Sequence, residues 1–204
     1  AINSGAVVAG VVKVYGKSSN NYTIDSQGAG LQTTNTIAGK LTVANQVRLG
    51  VNSASPSVLN VRGGIEDVTA GDNAIFVLNS NKGEIRVSDK PVNFLNRVWY
   101  QDNGLVTIAV TNNNWSWMRR SGGETRLDVT NGLAVGKAVQ LFGSGVLNLN
   151  GYDQQIGNLY GWYDPVPALI KSQAPAVLTV TQGADASYIA NLDGAVTLRK
   201  QGAS

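Results

Sequence analysis

Cysteine and histidine are both missing from this 204-residue chain. Without cysteine there is no disulfide framework and no thiolate metal site. Without histidine, Ser-His-Asp catalysis and imidazole metal ligation drop out. Aromatic residues make up only 7%, and 16 basic side chains against 13 acidic ones leave a charge of +3, too mild for a nucleic-acid footprint. No run approaches the roughly 18 apolar residues of a membrane span. The apolar N-terminal stretch GAVVAGVVKVYG (5–16) lacks the charged flank and cleavage pattern of a signal peptide. Phosphate loops, dinucleotide fingerprints in a βαβ context and long helix-forming stretches are absent too.

What is present favours strands and turns. Valine, threonine, asparagine and serine set the tone, with 24 glycines among them. An apolar-x-apolar kernel recurs in KLTVAN (40–45), VLNVRG (58–63), EIRVSD (84–89) and LVTIAV (105–110). It returns in RLDVTN (126–131), VLNLNG (146–151), VLTVTQ (177–182) and AVTLRK (195–200). The leading apolar residues are Leu41, Leu59, Ile85, Val106, Leu127, Leu147, Leu178 and Val196, at steps of 18, 26, 21, 21, 20, 31 and 18 residues. A second short strand usually follows each kernel. One period of about 22 residues thus holds two or three short strands separated by bends, the make-up of one coil of a β-solenoid. A single coil cannot enclose its own apolar residues. Stacked coils put Leu on Leu and Val on Val, each covered side chain contributing about 1.5–3 kcal/mol. The expected fold is an all-β solenoid in a single domain over 1–204, with repeated coils across 41–198. The same short strands, with turns at Asn103-Gly104, Asn131-Gly132 and Asp193-Gly194, also suit an antiparallel β-sandwich, which stands as the alternative.

LDVTNGLAVGKAVQLFGSGVLNLNGYDQQIGNLYG (127–161) resembles the passenger-associated repeats of bacterial autotransporter proteins. LTVANQVRLGVNSASPSVLNVRGGIEDVTAGDNAIFVLNSN (41–81) is similar to related surface-protein repeats. The resemblance implies a right-handed parallel β-helix displayed outside the cell or on its surface.

Candidate sites are few. NNNWSWMRRSGG (112–123) sets Trp115 and Trp117 two apart, on one face of a strand, with Ser116 and Met118 on the other. With Trp99, Arg119 and Arg120 they form a candidate glycan- or partner-binding strip, the rings stacking on sugars and the arginines holding carboxylates. The competing reading has the tryptophans filling a wide turn or capping the core. Tyr100, Tyr160, Trp162 and Tyr163 join the strip only if their coils stack in register; packing against the solenoid flank is the favoured reading. Glu66 and Asp67 are the only adjacent acidic pair, with Asp72 nearby, and they form no ligand ladder. No catalytic residue, metal or cofactor is therefore expected. Asn21 and Asn114 match the N-glycosylation pattern, a weak signal in an Asn-rich chain. Asn60 and Asn148 share one slot of their kernels and are expected to face outward in a polar ladder.

The ends complete the reading. Residues 5–16, with Val7, Val8, Val11, Val12 and Val14, are a candidate assembly strand for head-to-tail homopolymers. The kernel at 195–200 has no obvious cap, only Arg199 and Lys200 to blunt its edge, so a piece cut from a longer passenger is the other reading. The function expected is a non-enzymatic, structural or adhesive segment of a bacterial surface protein. Its partners would be an extracellular glycan or protein, not nucleic acid, and it would carry no membrane span. A self-assembling fibre subunit is the alternative, and a polysaccharide-active enzyme a distant third.

Overall fold

The short β-branched kernels pair with one another far along the chain, always in parallel. The computed structural model describes residues 7–8, 10, 12–14, 22–26, 33–44, 47–51, 57–67, 75–161, 166–183 and 190–202. Every strand pair among them is parallel, and no helix occurs, so none is long and apolar enough to cross a membrane. The fold is a parallel β-solenoid whose strands fall into three stacks, not every turn contributing a strand to each. The antiparallel alternative is excluded by the pairing.

The first stack runs through Val7–Val8, Thr34–Ile37, Val58–Val61, 84–87, 105–108, Glu124–Leu127, Val146–Asn148, 168–171 and 190–193. Nine strands at about 4.8 Å per rung make it about 38 Å long. The second stack holds Val12–Val14, Leu41–Val43, Ile65–Asp67 and Val92–Asn93, and resumes with Gln154–Ile156, 178–180 and 198–200. The third holds Tyr22–Ser26, Val47–Val51, 75–80, 98–104, Trp117–Arg120, Ala138–Leu141 and Leu159–Gly161.

This register corrects the kernel alignment and explains its uneven steps. The kernels at 40–45, 177–182 and 195–200 belong to the second stack, the others to the first. Thr125, not Leu127, is level with Val106 and Leu147. The true first-stack column is Asn35, Leu59, Ile85, Val106, Thr125, Leu147, Ile170 and Leu192, at steps of 24, 26, 21, 19, 22, 23 and 22 residues. Period-2 alternation turns this column inward, and all but Leu192 are buried.

Each turn closes through tight corners. Gly104 shows why glycine is needed: its φ of 72° is left-handed, and a Cβ there would overlap the Ser80 carbonyl oxygen of the previous turn. Where bulky residues interrupt the repeat, the interior holds an aromatic cluster. Phe76 lies 5.4 Å from Phe94 and 5.8 Å from Trp99, and Trp99 stacks on Trp115 at 5.1 Å and 25°.

Candidate functional site

The inner face of the third stack carries Val47, Phe76, Trp99, Met118, Val139 and Leu159 in one column. The residue after each therefore points out. That outer column reads Arg48, Val77, Tyr100, Arg119, Gln140 and Tyr160. Trp117 is two residues before Arg119 and shares its face, half-buried like Arg119, Tyr100 and Tyr160. The Arg119 guanidinium lies 4.8 Å from the Phe142 ring centroid and 5.5 Å from that of Tyr100. The Tyr100 hydroxyl is 2.8 Å from Ser121 Oγ, and Asn158 Nδ2 donates to Tyr160 Oη at 2.8 Å. Arg119 forms no ion pair among the described residues, whereas Arg62, Arg86, Arg97 and Arg126 each meet a carboxylate.

The expected strip is thus split by the backbone. Trp117 and Arg119 lie on the outer face. Trp99 and Trp115 are buried in the core, stacked on one another. Trp115 does not share a face with Trp117, because the strand begins only at Trp117 and Trp115 sits at the corner before it. Tyr100 and Tyr160 stand in register with Arg119 on the same outer face, half-buried against the flank; Trp162 and Tyr163 lie outside the described residues. The signal for Tyr100, Arg119, Gln140 and Tyr160 was present in the sequence: they recur at 19, 21 and 20 residues, the length of a turn.

Arg120 points the other way. It is wholly buried between Gln101 and Leu141 in an inward column of the third stack. Its Nη1 donates to Gln101 Oε1 at 2.7 Å and to Thr125 Oγ1, and its Nη2 to the Gly122 carbonyl at 3.0 Å. Gln101 Nε2 in turn donates to the carbonyls of Gly104 at 2.9 Å and Glu124 at 3.0 Å. Burial pulls the guanidinium pKa down to about 9, against an opposing pull from Glu124. A binding role through solvent is closed to it in this conformation.

The acidic residues are occupied structurally. Asp67 faces Arg97 at 3.7 Å with both side chains buried, and its Oδ1 accepts from the Leu95 amide at 2.8 Å. Burial lowers the Arg97 pKa, and Asp67 raises it again in part. Glu66 points outward to Lys40 at 2.9 Å, and Asp72 lies outside the described residues. A shallow cavity of about 310 Å³ at the first corner is lined by Lys40, Gly63, Glu66, Lys90 and Asn93 among others. Asn114 Nδ2 donates to the Phe94 carbonyl at 2.7 Å, so its amide is committed to the backbone; Asn21 lies outside the described residues.

The first stack's outer face is a charge lattice around the expected asparagine slot. Asn60, Arg86, Thr107, Arg126, Asn148 and Lys171 follow one another up this column. Arg86 Nη1 reaches Asp128 at 2.8 Å and Arg126 Nη2 reaches Glu84 at 3.4 Å, each pair spanning two rungs over Thr107. Burial alone would raise the Glu124 carboxyl, yet hydrogen bonds from Lys171 and Asn148 and the charges of Lys171 and Arg120 hold it below the ordinary range.

Of the N-terminal assembly strand, Val7 and Val8 pair in parallel with Thr36 and Ile37, and Val12 and Val14 with Leu41 and Val43. These strands therefore lie on the next turn of their own chain, and Val11 lies outside the described residues. At the other end, Leu192 and Leu198 of strand Ala190–Gln201 are 49% and 45% exposed. No protein-family model, curated protein or solved structure matches this chain.

Proposed function

We propose that this chain is a structural and adhesive β-solenoid segment of a bacterial surface protein, held outside the cell and without enzymatic activity. The observation carrying the proposal is the continuous parallel register of the first stack, braced on its outer face by ion pairs that skip a rung. Such a lattice resists shear between turns, which suits a rod. The segment that resembles autotransporter passenger repeats, 127–161, contributes stations to all three stacks, as a repeat unit of such a rod should. Small-angle X-ray scattering of the purified chain tests the mechanical half. An elongated particle supports it, and an isometric one overturns it. Antibody labelling of intact source cells tests the location. Signal only after permeabilisation would refute a surface protein.

A further inference from the structure

We propose that the outer face of the third stack binds an acidic polysaccharide, with Arg119 as its anion contact and Tyr100, Trp117 and Tyr160 as its stacking surface. The inference rests on the adhesive reading above and names the ligand for it.

Arg119 carries the argument. Elsewhere on this solenoid, Arg62, Arg86 and Arg126 are each neutralised by a carboxylate within 3.4 Å. Arg119 is left with two aromatic neighbours instead, Tyr100 and Phe142. Rings on either side hold a guanidinium in place without consuming its charge, and leave donors of its fork to a planar anion. Its Nε is buried without a hydrogen-bond partner. One rung on, Gln140 is largely buried and separates Arg119 from Tyr160. Arg48 lies on the same column three rungs from Arg119, about 14 Å at 4.8 Å per rung. Two cations and two rings spaced along a straight stack, with buried Val77 and Gln140 between them, fit an extended polymer carrying repeated anions. Half-buried rings favour sugars over a bare anion, because their faces cover the apolar C–H surface of a pyranose. Asp102, at the corner of this stack, lies 3.5 Å from the Ser121 hydroxyl that also meets Tyr100.

The test uses the intact chain and oligogalacturonate, with its fully methyl-esterified form as the neutral control. Heparin fragments form the sulfated arm. Affinity for oligogalacturonate or heparin should fall at least tenfold in Arg119→Gln, and the esterified control should bind no better than that variant. Lys90→Gln, which removes the same charge from an exposed corner, should stay within twofold. Equal losses in both variants would reduce the effect to diffuse charge and overturn the site. In the unmodified chain, nuclear magnetic resonance should show the Trp117 indole shifting on addition of ligand while the buried Trp99 and Trp115 indoles do not; a silent Trp117 refutes the proposal even if Arg119→Gln fails to fold. Equal retention of polyglutamate, lost with Arg119→Gln, would assign the face to acidic proteins instead. An elongated scattering particle that binds none of these probes would leave the rod standing and sink the ligand.

Discussion

Truncating Arg120 to alanine should destabilise this solenoid by about 4 kcal/mol, although the residue removes a buried charge. Two losses set the magnitude. Deleting a large, fully buried side chain costs about 2–5 kcal/mol in transfer and cavity terms. The Gly122 carbonyl, which accepts from Nη2 at 3.0 Å, is left without that donor inside the corner, at about 1–3 kcal/mol. Relief of the desolvation that depresses the Arg120 pKa to about 9 offsets part of this. Gln101 Oε1 keeps one donor, Thr125 Oγ1 at 2.6 Å, so it adds little. Arg120→Met fills most of the volume and should cost about 2 kcal/mol, roughly the price of the orphaned acceptor alone. Equilibrium urea unfolding, followed by the fluorescence of the buried tryptophans, measures both variants. An alanine variant within about 1 kcal/mol of the parent, at unchanged slope, would show that the cluster does not tie the turns together.

Further substitutions probe the same solenoid. Gly104→Ala should cost at least twice as much as Gly136→Ala: both have φ near 70°, with about 1–2 kcal/mol of left-handed strain, but only at Gly104 does a Cβ strike a neighbouring backbone; equal shifts in denaturation midpoint would refute this. Stability contributed by Glu124 is complete above the ordinary carboxyl value of 4.5 and is lost as the pH falls through its lower folded value, so Glu124→Gln should flatten the acid limb of a stability–pH curve. An unchanged limb would refute the Lys171–Asn148–Glu124 geometry. Trp115→Ala should cost about 3–5 kcal/mol by urea denaturation, because its ring is stacked in the core; a loss under 1 kcal/mol would place it at the surface.

How far the site was legible follows from the same parity rule. Alternation shows that Trp117 and Arg119 share a face, but not which face is turned inward. That choice was made at the third stack, where Met118 falls between Trp99 and Val139 and takes the inside with them. Arg119 was thereby sent to solvent, while Arg120 was buried against Gln101 and Leu141. The acceptor that makes its burial tolerable, Gln101 Oε1, is 19 residues away along the chain.

The sequence by itself determined that this chain is built of short strands and glycine corners repeating at about 22 residues. Apolar kernels of that period have no other way to be covered than by each other. Only the tertiary structure decided which of three stacks each kernel entered, because Leu41-Thr42-Val43 and Leu59-Asn60-Val61 carry the same alternation yet sit on different sides of the turn. It also decided that the ladder through Asn60 and Asn148 became a charge lattice. Arg86 and Asp128 lie 42 residues apart, and nothing local in either kernel marks the partner that two turns of winding bring within 2.8 Å.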